Sequence, residues 1–106
     1  MKLFDRFAKR DIQTELLRFH QTPGALLLDV RSPEEYAQGH IPGSVNLPLA
    51  AIADARERIP NKDTPLFVYC LSGARSRAAA SALASMGFTG VVDMGGMAAY
   101  RGAVER

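Results

Sequence analysis

Cys70 is the only cysteine of the 106-residue chain, and it opens the segment Cys70-Leu71-Ser72-Gly73-Ala74-Arg75. An apolar run, Leu66-Phe67-Val68-Tyr69, precedes it, and an alanine-rich stretch from Ser76 to Met86 follows it. This order places a thiol at the end of a buried strand, in a short loop that feeds a helix N-terminus. The unbonded N–H groups and the positive dipole end found there favour an anion, and the reactive form of a cysteine is an anion, the thiolate. Gly73 gives the backbone freedom to curl, successive N–H groups curling round one point form a nest, and Arg75 adds a permanent planar charge. The expected chemistry is that of a sulfur nucleophile, with Leu71, Ser72, Gly73, Ala74, Arg75 and Ser76 cradling the sulfur of Cys70.

The count to the arginine narrows the reaction. Phosphatases that form a cysteinyl-phosphate use a Cys-x5-Arg loop, whereas here Ser76 holds that position and the arginine falls one residue earlier, at Arg75. A shorter cradle suits a single sulfur atom better than a tetrahedral oxyanion, so phosphatase or arsenate-reductase chemistry ranks low. With one cysteine there is no internal disulfide and no resolving thiol, and with only two histidines besides, no metal site is expected. Other polar residues have plain structural readings. Arg75 is as well placed for an ion pair as for a site role, and Ser72 for steadying the turn as for donating to the sulfur. Asp29 and Arg31 follow a strand and are expected to support the site structurally, as a buried loop-capping acid and its ion-paired base. His40 suits a turn hydrogen bond, His20 a helix end, and Met94 and Met97 core filling or a pocket wall.

The elements that must position this loop are legible as alternating patterns. Ile12, Leu16 and Phe19 have helical spacing within Asp11 to Phe19. Ala25 to Val30 and Leu66 to Tyr69 are apolar runs of the length and continuity of strands buried on both faces, and Val45-Asn46-Leu47 and Val91 to Met94 are shorter strands. Ser32-Pro33-Glu34-Glu35 starts a short helix that Gly39 ends, with Ser at the cap, Pro at the first position and acids in the first turn. Leu49 to Ile59, Ser76 to Met86 and Met97 to Val104 read as further helices. The alternation predicts an α/β domain with a mostly parallel central sheet flanked by helices on both faces. In such sheets sites form beyond the carboxyl ends of strands, where Cys70, Asp29 to Arg31 and Met94 to Gly96 all fall.

Length allows one domain, 1–106, with 1–24 an N-terminal arm and helix. The net charge of +2 is spread along the chain, and no basic face with interleaved aromatics points to nucleic acid. The start of the chain is locally basic (Lys2, Arg6, Lys9, Arg10) and reads as a solvated face, with Phe4 and Phe7 either extending the apolar face of the first helix or packing separately. No apolar run reaches membrane-spanning length and no signal-peptide pattern follows Met1, so a soluble, cytoplasmic protein without membrane partners is expected.

Four segments together resemble the single-domain rhodanese, or thiosulfate sulfurtransferase-like, family: Leu28-Asp29-Val30-Arg31-Ser32-Pro33-Glu34-Glu35-Tyr36, Gly39-His40-Ile41-Pro42-Gly43-Ser44-Val45-Asn46-Leu47-Pro48, Tyr69-Cys70-Leu71-Ser72-Gly73-Ala74-Arg75-Ser76 and Gly95-Gly96-Met97-Ala98-Ala99-Tyr100. The resemblance runs from about Ala25 to Gly102, and Tyr100 stands where the family commonly has Trp. It implies an enzyme without a cofactor. Cys70 would take the outer sulfur of a small anionic donor such as thiosulfate as a persulfide and pass it to a nucleophilic acceptor, cyanide or a thiol. Family members with high thiosulfate activity often carry basic side chains inside the loop, whereas Leu71, Ser72 and Ala74 are uncharged. That departure keeps open a second reading, a persulfide carrier and binding module loaded by a partner protein. A silent interaction domain is less attractive because the cysteine is retained.

Overall fold

The computed structural model describes residues 11–106. The basic arm, with Phe4 and Phe7, lies outside the described residues. The chain runs α1 (Ile12–His20), β1 (Leu26–Asp29), α2 (Pro33–Gln38), β2 (Val45–Asn46), a 3-10 stretch (Leu49–Asp54), α3 (Ala55–Arg58), β3 (Leu66–Cys70), α4 (Ala74–Ser85), β4 (Val91–Gly96) and a 3-10 turn (Met97–Ala99). Its four strands form one sheet in the order β2-β1-β3-β4, and every pairing is parallel. This is the expected α/β architecture.

Residue alternation along the strands builds a core on each face, because successive side chains point to opposite sides of a sheet. Leu28, Val30, Val68 and Cys70 pack on one face with Ala79 and Leu83 of α4, and with Leu47, Ala55 and Ile59. Leu27, Phe67, Tyr69 and Met94 pack on the other with Ile12, and Leu16 and Phe19 of α1 lie against them. Ser76, Ala79 and Leu83 are the buried side of α4, a three-and-four spacing that puts one face of a helix on the sheet. All five residues of β3 are buried, as a central parallel strand demands.

Three elements depart from the sequence reading. The stretch after Pro48 is a 3-10 segment and a single α turn rather than one helix, broken where Ala51 turns to φ −111°. The last helix shrinks to the 3-10 turn Met97–Ala99, because Tyr100 is extended and the chain returns to bridge Glu105 to His40. Finally, α4 begins at Ala74, so Arg75 stands in the first turn of the helix and not in the loop.

The order β2-β1-β3-β4 also creates a switch point. The chain leaves β1 toward one side and β3 toward the other, which opens a crevice between their carboxyl ends. Asp29 and Cys70 end those two strands.

Candidate active site

Cys70 is the last residue of β3 and is fully buried. The chain then makes a tight curl that Gly73 closes with φ +109°, in the N-cap position of α4. An L side chain rarely adopts that backbone angle. The curl brings the Gly73 N–H to the Cys70 sulfur, donating to Sγ over 3.0 Å. The first amides of α4, which have no partner within the helix, start at the next residue. Sulfur, glycine amide and helix N-terminus therefore occupy one corner of the fold, an arrangement that stabilises negative charge on sulfur.

Several bonds hold the curl in place. The Ser76 hydroxyl is buried and donates to the carbonyls of Gly73 (3.1 Å) and Gly95 (3.4 Å), tying the loop to β4. The Leu71 carbonyl accepts from Ala98 N–H at 3.0 Å. Gly96 pairs in register with Cys70, and a Cβ at Gly96 would collide with the Leu71 carbonyl oxygen and crowd the Ser72 backbone. Gly95 is different: it needs its positive φ of +87°, and nothing stands within 4 Å of where its Cβ would be.

Arg75 reaches across the switch-point crevice to α2. Its two terminal nitrogens donate to Glu35 Oε1 (2.6 Å) and Oε2 (3.0 Å), a bidentate pair between α4 and α2. Glu35 also closes a capping box with Ser32. The hydrogen bond from Arg75 pulls the Glu35 carboxyl down to about 2; burial opposes it, and the Ser32 contacts add to the fall. Arg75 in turn is held charged above its ordinary range by the Glu35 bond, against a smaller burial effect, with the Glu35 charge adding to the rise. Beside this clamp, buried Asp29 accepts from the Arg31 backbone N–H (2.9 Å), from Nε (3.1 Å) and from a terminal nitrogen (2.8 Å). Arg31 also donates to the Gly39 carbonyl at 2.7 Å. Burial works against the Arg31 charge, but the Asp29 hydrogen bond and charge outweigh it and the net direction is upward. Asp29 and Arg31 thus brace the loop after β1.

A pocket of about 400 Å³ opens on the other side of the loop. Leu71, Ser72 and Gly73 form one wall, Gly95 and Gly96 another, and Arg77 and Asp93 also line it. Cys70 itself lies behind this wall.

The structure gathers all the loop residues singled out in the sequence, but it divides their tasks. The Gly73 amide faces the sulfur, Ser76 and the Leu71 carbonyl are ties, Leu71 and Ser72 form an exposed pocket wall, Ala74 starts the helix, and Arg75 is committed to Glu35. His40 makes the turn contact expected of it, with Nδ1 2.8 Å from the Tyr36 carbonyl and its ring stacked on Tyr36. Met94 does both things read for it, core filling and pocket wall. Sequence reasoning missed Glu35 as the partner of Arg75, Gly96 as the residue under the loop, and the Arg77–Asp93 pocket. The Ser32-to-Glu35 capping spacing was a signal for α2, but no local pattern pairs residue 35 with residue 75.

The profile of the rhodanese-like domain family matches residues 13–103. A sulfurtransferase of Allochromatium vinosum is 40% identical over 93 residues, 85% of this chain and 86% of that protein. Thiosulfate sulfurtransferase PspE of Escherichia coli is 38% identical over 71 residues, 66% of this chain and 68% of that protein. Among solved structures, the rhodanese-like domain of an Anabaena protein superposes with a TM-score of 0.80 at 28% identity, covering 92% of this chain and 77% of that one.

Proposed function

This chain belongs to the rhodanese-like domain family, and on that premise we propose that it is a sulfurtransferase working through a persulfide on Cys70, with thiosulfate as a donor and cyanide or a thiol as acceptor. The observation that carries the reading is the 3.0 Å hydrogen bond from Gly73 N–H to Cys70 Sγ at the mouth of α4. In the first half-reaction the Cys70 thiolate attacks the outer sulfur of thiosulfate. The S–S bond of the donor breaks, sulfite leaves with the electron pair, and Cys70 holds the sulfur as an anionic persulfide. In the second, the acceptor attacks that outer sulfur and Cys70 leaves as thiolate. This is covalent, two-step catalysis with ping-pong kinetics. Sulfite is a competent leaving group, so no general acid is required.

The roles follow from position. Cys70 is the nucleophile, the Gly73 amide and the first amides of α4 hold the negative sulfur, and Ser76, Gly96 and the Leu71 carbonyl keep the curl shaped. Arg75, spent on Glu35, positions the helix rather than binding the donor. Asp29 and Arg31 support the neighbouring loop and take no part in the chemistry.

The test is an intact-mass measurement after incubation with thiosulfate, together with thiocyanate formation from cyanide. The expected result is a single added sulfur on the wild-type chain, and neither adduct nor thiocyanate with Cys70→Ser. Thiocyanate formation that survives in Cys70→Ser overturns the mechanism.

A further inference from the structure

The nucleophile is sealed inside the fold. Cys70 is 0% exposed, so no donor atom touches its sulfur until some of the atoms that cover it move. On the inner side the cover is the core, where Val30, Val68, Ala79 and Leu83 pack with Cys70. Lifting α4 there would part Arg75 from Glu35 and bare Ala79 and Leu83, both fully buried. On the outer side the cover is the short stretch from Leu71 to the Gly73 amide, and Leu71 and Ser72 are themselves exposed. Two hydrogen bonds fasten that stretch: Gly73 N–H to Cys70 Sγ, and Ala98 N–H to the Leu71 carbonyl, each 3.0 Å. The Gly73 carbonyl belongs instead to the helix, because the Ser76 hydroxyl and the Arg77 N–H both donate to it at 3.1 Å. A glycine at φ +109° between a lightly held amide and a fixed carbonyl is a pivot. The pocket of about 400 Å³ on the far side of Leu71, Ser72 and Gly73 gives the stretch room to move.

We infer that Cys70 reacts from an opened form of the loop, in which Leu71 and Ser72 swing about Gly73 into the pocket and bare the sulfur. The inference rests on the persulfide reading above, since attack on a donor sulfur requires that contact. Opening breaks two hydrogen bonds and leaves the core, α4 and the Arg75–Glu35 pair in place. The net loss of two such bonds leaves about one molecule in 10 to 100 open at any moment. Closure returns the Gly73 amide to the sulfur. The closed form also shields the thiolate between turnovers, because oxidation of a cysteine follows its exposure.

Two measurements on the wild type and one variant test the opening without any sulfur donor. Amide hydrogen exchange should show the Ala98 N–H protected about 10- to 100-fold. The amides of β3, which open only with global unfolding, should be protected about 50-fold more or better. Alkylation of Cys70 by iodoacetamide, followed by intact mass, should rise with urea far less steeply than global unfolding does. Ala98→Pro removes the N–H that holds Leu71. Ala98 is exposed and lies in the first turn of a short helix, where proline is tolerated. The variant should be alkylated about 10-fold faster than wild type. Ala98 exchange as slow as that of β3, or alkylation that follows the global urea slope, overturns the inference, and these two measurements decide it if Ala98→Pro does not fold. An unchanged alkylation rate in folded Ala98→Pro overturns it as well. Alkylation through the local opening with no loading from thiosulfate sinks the persulfide reading and upholds the opening.

Discussion

Separating the Arg75–Glu35 pair tests whether Arg75 shapes the site or touches the donor. The folded state lowers the Glu35 carboxyl from 4.5 to about 2, chiefly through its bond to Arg75. Taken at face value, that fall is worth roughly 3.4 kcal/mol. The two side chains are 37% and 30% exposed, and solvent screening reduces the contribution to about 1 kcal/mol. Because the folded value lies below the unfolded one, the contribution is complete above pH 4.5, declines as the pH falls, and is gone near pH 2. Glu35→Gln keeps the capping box and removes the charge. Urea titrations should show it about 1 kcal/mol less stable than wild type at pH 7, with the gap closing toward pH 2. Arg75→Met should cost a similar amount, and the double variant no more than either single one, since each loses the same interaction. Both single variants should lower the rate of persulfide formation equally, with KM for thiosulfate unchanged. A KM that rises with Arg75→Met and stays put with Glu35→Gln would refute the clamp and put Arg75 on the donor.

Substitutions at two glycines probe the supports of the loop, and one at Tyr69 probes the core. Gly96→Ala drives a methyl group into the Leu71 carbonyl and should cost about 1–3 kcal/mol by overpacking and abolish persulfide formation; Gly95→Ala meets no atoms and should cost about 1–2 kcal/mol through its left-handed backbone alone, with Gly95→Asn milder, as thermal melts and mass measurements can establish. Tyr69 is buried, and burial raises its hydroxyl pKa, opposed by its bonds to Ser44 and Ile41. It donates to Ser44 Oγ and accepts from Ile41 N–H, both at 3.1 Å, so Tyr69→Phe should lose about 1–3 kcal/mol in denaturant titrations, and a melting curve identical to wild type would contradict that network.

The parts of this protein that depend on neighbours in sequence were readable from the sequence. Continuous apolar runs mark the two central strands because a parallel strand is buried on both faces. Ser32 to Glu35 marks α2 because a capping box closes within one turn. Cys70 followed three residues later by Gly73 marks the curl, because a left-handed turn needs glycine. Where the signal was weak, tertiary contacts decided: Leu49 to Ile59 broke at Ala51, and Tyr100 went extended so that the chain could return to His40.

Contacts between distant segments were written nowhere in the local pattern. Glu35 meets Arg75 across 40 residues because the strand order sets α2 and α4 on the two sides of one crevice. Gly96 lies under Leu71 because β3 and β4 pair in register at Cys70. The type and spacing of residues around Cys70 determine that a backbone N–H meets the sulfur there, since that contact belongs to one curl of backbone. The burial of the thiol, the partner of Arg75 and the charges facing the pocket depend on packing between strands and helices far apart in the chain, and only the tertiary structure decided them.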